Sequence, residues 1–177
     1  WGYEDKAAVV SMVADRVTKT MYVVDCWSMP KQAISTICEE ICRQLNNLKT
    51  NFRLARDPWV ICDSNEKGAV YELYKTYKIA NAYCAYKYDR DMALDQLAEW
   101  CRTDKIFTCE NAKPLIDDMD NSIWARDENT DQLLHELSDE YHPNAAMALL
   151  YASRQFAYVV IGIDAAKTAN DILERRD

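Results

Sequence analysis

Between Ala145 and Ala166 the only frankly polar side chains are Ser153, Arg154, Gln155 and Asp164, and no proline follows Pro143. Asn144 to Arg176 therefore reads as one long helix, with Pro143 in a first turn that has no use for its missing N–H. A helix that is apolar round most of its circumference has to be wrapped by other elements. A stretch of ~20 apolar residues also raises a bilayer span. Arg154, Gln155 and Asp164 make a span costly, so a buried central helix is the expectation. Ala148 with Ala152, and Gly162 with Ala166, place small residues four apart, where a neighbouring helix fits closely. Arg154 and Asp164 lie ~15 Å apart along the axis and cannot partner each other, so each is expected to pair with another helix or reach solvent.

The rest of the chain supplies the wrapping. At 177 residues it is read as one domain, 1–177, and its three glycines and four prolines favour long helices over tight β-turns. Val10, Ala14, Val17, Met21 and Val24 alternate steps of four and three, predicting an amphipathic helix from about Glu4 to Trp27. After a break at Ser28-Met29-Pro30, the pattern resumes at Ile34, Ile37, Ile41, Leu45, Leu48 and Phe52 and ends before Pro58. Asp63-Ser64-Asn65 reads as a surface connection. A third helix is expected over Ala69 to Tyr88 with a seam at Val70, Leu73, Tyr77, Ala80 and Cys84. A fourth, capped by Asp89 or Asp91, runs to Arg102 with Leu94, Leu97 and Cys101 inward. A short piece follows Pro114 with Leu115, Met119 and Ile123, and a sixth covers Thr130 to Tyr141 with Leu133, Leu134 and Leu137. The fold class expected is all-α, an irregular bundle of six or seven helices around a long, largely buried C-terminal helix.

The formal charge is −8, with a pI of about 4.8, which argues against nucleic-acid and anionic-membrane binding. Asp117, Asp118, Asp120, Asp127, Glu128, Asp131, Glu136, Asp139 and Glu140 stand against Arg126 alone, so this one segment carries as much net charge as the whole chain. Such a field would hold a cationic surface, and these nine residues are the expected docking face for a basic protein. Asp118-Met119-Asp120-Asn121-Ser122 also starts like a calcium loop, but Ile123 replaces the turn glycine and Asn129 the closing glutamate.

Seven cysteines are an odd number, so a complete disulfide framework does not follow from the count. A start at Trp1 suits either a processed secreted chain or a trimmed one, and secreted and intracellular locations are expected equally. Cys38 and Cys42 sit one helical turn apart, and with Cys84, Cys101 and Cys109 downstream the spacing resembles the helical odorant-binding proteins of insects. That resemblance implies disulfides tying separate helices and a pocket for a small hydrophobic ligand. Cys62, the short interval from Cys26 to Cys38 and the helix after the last cysteine depart from it.

His135, Asp139 and His142 have metal-ligand spacing on a helix, but Pro143 ends the helix there and no second such motif completes a site. Tyr71, Tyr74, Tyr77, Tyr83, Tyr86 and Tyr88 are either interface anchors or half-buried bundle residues. The sequence offers no nucleophile with its base, no phosphate loop and no cofactor motif. The functional expectation is a non-enzymatic, soluble, inhibitor- or immunity-like binding protein that docks its acidic segment on a basic partner, without catalytic or metal residues. The alternative is a secreted, disulfide-stapled carrier of a small hydrophobic ligand.

Overall fold

The computed structural model describes residues 6–30, 32–85, 90–122, 124–126, 130, 133–137 and 142–160, with backbone alone at 124–126, 133–137 and 155–160. It is a mixed α/β fold, which overturns the all-α expectation. The N-terminal segment is a β-hairpin. Val9, Val10, Val13, Val23 and Val24 are stiff at χ1 and suit an extended backbone, and they lie in β1 (Lys6–Asp15) and β2 (Thr20–Pro30). Between the strands, the Asp15 carboxylate accepts the Val17 N–H at 2.8 Å and the Thr18 hydroxyl at 3.0 Å, and Lys19 takes a left-handed φ of 55°. These hydrogen bonds hold the Asp15 carboxyl below its ordinary range.

The helical periodicity in this stretch was misleading because the hairpin is buried on both faces. Ala8, Val10, Met12 and Ala14 pack into one apolar cluster, whereas Ala7 and Val9 pack into another. Two-sided burial replaces the apolar–polar alternation of a half-exposed strand with a near-continuous apolar run. A bulge complicates it further: Ser11 pairs with Asp25 and Met12 with Val23, leaving Val24 unmatched.

One cluster joins Met12, Met21, Val23 and Cys26 of the hairpin to α3 (Arg90–Arg102), α4 (Lys113–Asn121) and α5 (Asn144–Val160), through Ala93, Leu97, Trp100, Leu115, Ala145, Leu149 and Leu150. The other joins Ala7 to α1 (Ile34–Asn51), β3 (Val60–Cys62) and α2 (Lys67–Lys75) through Ile37, Cys38, Ile41, Val60, Cys62, Ala69 and Leu73. Helices therefore cover both faces of the strands, the usual solution for a buried sheet.

β5 (Ile106–Thr108) adds parallel to β2, giving the order β1-β2-β5, and β3 pairs in parallel with β4 (Ala82–Cys84) across α2. β6 (Trp124–Arg126) and β7 (Leu133–Leu137) form an antiparallel pair. α1, α3 and α4 occupy the expected segments. The third expected helix stops at Lys75 and its remainder supplies β4, and the sixth is β7. Leu133, Leu134 and Leu137 fit either state over so short a segment, and pairing decides. α5 opens at Asn144 as expected, with Ala145, Leu149, Leu150 and Ser153 buried and Arg154 half-buried, whereas Asp164 lies outside the described residues. Among the described residues no helix is long and apolar enough to cross a membrane.

Candidate functional site

A groove of about 910 Å³ runs along β1. Its lining includes Ile37, Ile41, Leu45 and Leu48 of α1, Met147, Ala148, Tyr151 and Ala152 of α5, the segment Phe52–Trp59, and β3. The polar side chains at its rim include Asp63, Glu66 and Asn144.

Asp63 follows β3 directly, at the carboxyl end of a parallel strand, where open α/β sheets carry their ligand-handling residues. Its position is fixed by the turn into α2. Its Oδ1 accepts the Asn65 N–H at 2.8 Å, and its carbonyl oxygen accepts the Glu66 N–H at 2.8 Å. Glu66 closes the turn, accepting the Ala69 N–H on its own carbonyl at 3.0 Å. Burial, together with the Asp63 carboxylate, pushes the Glu66 carboxyl above its ordinary range.

Gln44, only 2% exposed, lies in the floor. It accepts the Ser11 hydroxyl on Oε1, donates from Nε2 to Glu40 at 2.9 Å, and reaches the Val9 carbonyl at 3.5 Å. Glu40 in turn binds Arg43, which bridges to Asp25 of β2 at 3.0 Å. Arg43 also lowers the Glu40 carboxyl against the raising effect of its burial, as does the Gln44 amide.

The acidic segment read from the sequence is elsewhere. Asp117 and Asp120 are exposed on α4, but Asp118 is 5% exposed and turned inward, where its Oδ2 accepts the Ala145 N–H of α5 at 2.6 Å. None of the three lines the groove. Asp127, Glu128, Asp131, Asp139 and Glu140 lie outside the described residues, as does the side chain of Glu136 in β7. Of the nine carboxylates, the described residues thus show two exposed three apart on α4 and one turned inward. Of the histidine pair, His142 is exposed, and the side chain of His135 and all of Asp139 are not described.

The fold matches that of phage large-terminase nuclease domains. The nuclease domain of the bacteriophage SPP1 large terminase, solved with bound Mn, superposes with a TM-score of 0.67 at 20% identity over 88% of this chain and 81% of that one. The large terminase of a thermophilic bacteriophage gives 0.66 at 12% identity over 92% of this chain but only 38% of its own. At these identities the shared property is the fold. No protein family and no curated protein matches the sequence itself.

This likeness overturns the inhibitor-like docking protein, the basic protein partner and the hydrophobic-ligand carrier as readings of function, and with them the exclusion of nucleic acid. All seven cysteines are free, so no disulfide staples the helices, contrary to what the odorant-binding resemblance implied. Sequence reasoning also passed over Asp63 as loop. The available signal was the short apolar run Trp59 to Cys62 ending on an acid and followed by turn residues and a helix, the pattern of a strand feeding a helix.

Proposed function

We propose that this chain is a nuclease domain of the terminase type, acting on DNA phosphodiester bonds at the end of the groove where Asp63 and Glu66 stand. The observation that carries the reading is the position of Asp63 at the carboxyl end of β3, in a fold superposing at a TM-score of 0.67 on a nuclease domain solved with Mn. The overall negative charge that argued against nucleic acid is a sum over the whole surface, whereas a phosphodiester-cutting site is commonly built from carboxylates that hold cations.

A divalent ion bound there would neutralise developing phosphate charge. Among the described residues, however, no three His, Cys, Asp or Glu side chains converge to hold one, and Asp63 and Glu66 alone do not complete a ligand set. No step through a metal is assigned. What these side chains do by themselves is narrower. Asp63 is held in orientation by the Asn65 N–H, and Glu66, whose proton is retained to higher pH, is the member of the pair suited to moving one.

The incomplete ligand set favours a second reading, a domain that keeps the fold without cutting. Supercoiled plasmid incubated with the chain and Mn²⁺ separates the two. Relaxed and linear products that disappear in Asp63→Asn, with the circular dichroism spectrum unchanged, support cleavage. An intact plasmid with the parent chain leaves the non-cutting reading.

A further inference from the structure

The two most exposed aromatic side chains among the described residues are neighbours. Tyr71 and Tyr74 of α2 are 58% and 64% exposed. At roughly 100° per residue, Lys67, Tyr71, Tyr74 and Lys75 share an arc of ~100°, opposite the buried Ala69 and Leu73 that pack with α1 and β3. Scattered exposed apolar residues need no explanation, whereas two rings one turn apart form a continuous patch.

The charge on this face has one sign. Between Lys67 and Lys78 three lysines stand against Glu72 alone, in a chain of formal charge −8. Glu72 is half-buried on the flank toward α1, where its carboxylate adds to burial in raising the Cys38 thiol. Two of the lysines are held in place. Lys75 Nζ donates to the Tyr71 hydroxyl at 2.9 Å and lies 5.4 Å from the ring centre, and Lys78 Nζ, just past the helix, donates to the Lys75 carbonyl at 2.8 Å. The face is continuous with the Asp63–Glu66 turn: Lys67 follows Glu66 directly, and the Glu66 carbonyl accepts the Ala69 and Val70 N–H groups at 3.0 and 3.3 Å. Tyr71 and Tyr74 lie ~6 and ~10 Å along the axis from Lys67. The rise of ~4.5 Å between them is close to the ~3.4 Å step of stacked bases.

We propose that this face is a track for a single nucleic-acid strand leading to the Asp63–Glu66 turn, with Tyr71 and Tyr74 stacking on neighbouring bases and Lys67, Lys75 and Lys78 meeting its phosphates. Cations interleaved with exposed rings suit an unpaired strand, whose base faces are open to stack. A duplex hides those faces and would use the lysines alone. The proposal takes its ligand class from the nuclease reading and adds which form of nucleic acid reaches that site.

The test is fluorescence anisotropy of a dye-labelled oligothymidylate in EDTA, which removes divalent ions without altering the face. Tyr71→Ala and Tyr74→Ala are each expected to weaken binding about fivefold or more, while Tyr74→Phe, which keeps the ring, stays within about twofold. Lys67→Gln should flatten the slope of log K against log salt by about 0.7. A duplex of equal length should bind more weakly and ignore both tyrosines. The proposal is overturned if the parent chain leaves the strand unbound, if the alanine variants bind as the parent does with unchanged circular dichroism, or if the duplex binds as tightly as the strand. Nitration of the free chain by tetranitromethane that spares both rings also overturns it, because the chain's own residues would then cover the face. The two readings fail separately. Tyrosine-dependent strand binding by a chain that leaves plasmid intact removes the nuclease reading alone, and plasmid cleavage with tyrosine-independent strand binding removes this one alone.

Discussion

Replacing Asp118 with alanine removes a side chain of α4 that caps α5 from outside that helix. The Asp118 carboxylate, 5% exposed, accepts the Ala145 N–H at 2.6 Å, and Ala145 itself is fully buried. The first N–H groups of a helix have no partner within it, and here water cannot substitute. A buried donor left unmade costs about 1–3 kcal/mol, and loss of an N-terminal cap typically ~1 kcal/mol, so about 2 kcal/mol is the working figure for Asp118→Ala. For a chain of this length each kcal/mol moves the melting temperature by roughly 2–4 °C, giving a drop of about 4–8 °C. Asp118→Asn keeps an acceptor and loses only the charge beside the helix N-terminus, worth about 0.3–1 kcal/mol, so its drop is smaller, about 1–4 °C. Asp117→Ala, exposed on the same helix, is the control and stays within about 0.5 kcal/mol. Thermal melts followed by circular dichroism rank the three. An Asp118→Ala melt indistinguishable from that of Asp117→Ala would refute the capping argument.

Three further outcomes follow from the same structure. Gln44→Ala leaves the Ser11 hydroxyl without its acceptor and opens space beside β1, for a loss of about 2–4 kcal/mol in urea unfolding, and an effect under about 0.5 kcal/mol would show that the contact is dispensable. Burial pushes the Cys26 and Cys62 thiols up to about 12 and Cys38 up to about 11, so at about pH 8 these three resist iodoacetamide in the native chain while exposed Cys84 and Cys109 are alkylated first. Mass mapping that finds Cys62 among the first labelled would contradict this. Glu66 has a folded-state pKa above its ordinary value, so its ionisation opposes folding and stability falls as pH rises through that raised value. Glu66→Gln should melt above the parent chain at about pH 7, with the difference shrinking by about pH 3, where both side chains are neutral, and a lower melt near neutrality would reverse the assignment.

Legibility from sequence varied with how many faces of an element are buried. α1 was readable because Ile37, Ile41 and Leu48 face a core while Arg43 and Lys49 face out, a single apolar stripe at helical spacing. The β-hairpin was not, because α1 covers one face and α5 the other. Its residues then satisfied helical steps at Val10, Ala14, Val17, Met21 and Val24 by density alone, although Val17 proves to be 91% exposed in the turn. The density of β-branched residues, and Asp15 placed to bond the N–H two residues on, were the signals that outweigh periodicity there. β3 and β4 are three residues each, too short for any period, and their pairing is a long-range fact that local spacing does not contain. Asp118 was misplaced for another reason. Counting charge treats carboxylates as equivalent, whereas Asp118 uses its charge inside the molecule on a backbone N–H. Scarce glycine was read as an absence of tight turns, yet Lys19, Lys78 and Asp104 hold the left-handed conformations, with φ of 55°, 58° and 54°.

Val24, the residue of β2 without a counterpart on β1, sets the parity of everything after it. Met21 and Val23 belong to the layer of α3 to α5, and Cys26, an odd number of residues on from Val23, returns to that layer only because one residue is skipped in the ladder, with Trp27 delivered to the α1 side. The hairpin thus keeps count for two interiors at once. Deleting Val24 would close the ladder without moving the cysteine or the tryptophan, whereas pairing Val24 with Ser11 in an unbroken ladder would send them into each other's compartments, so in this molecule one skipped position carries as much instruction as residue type.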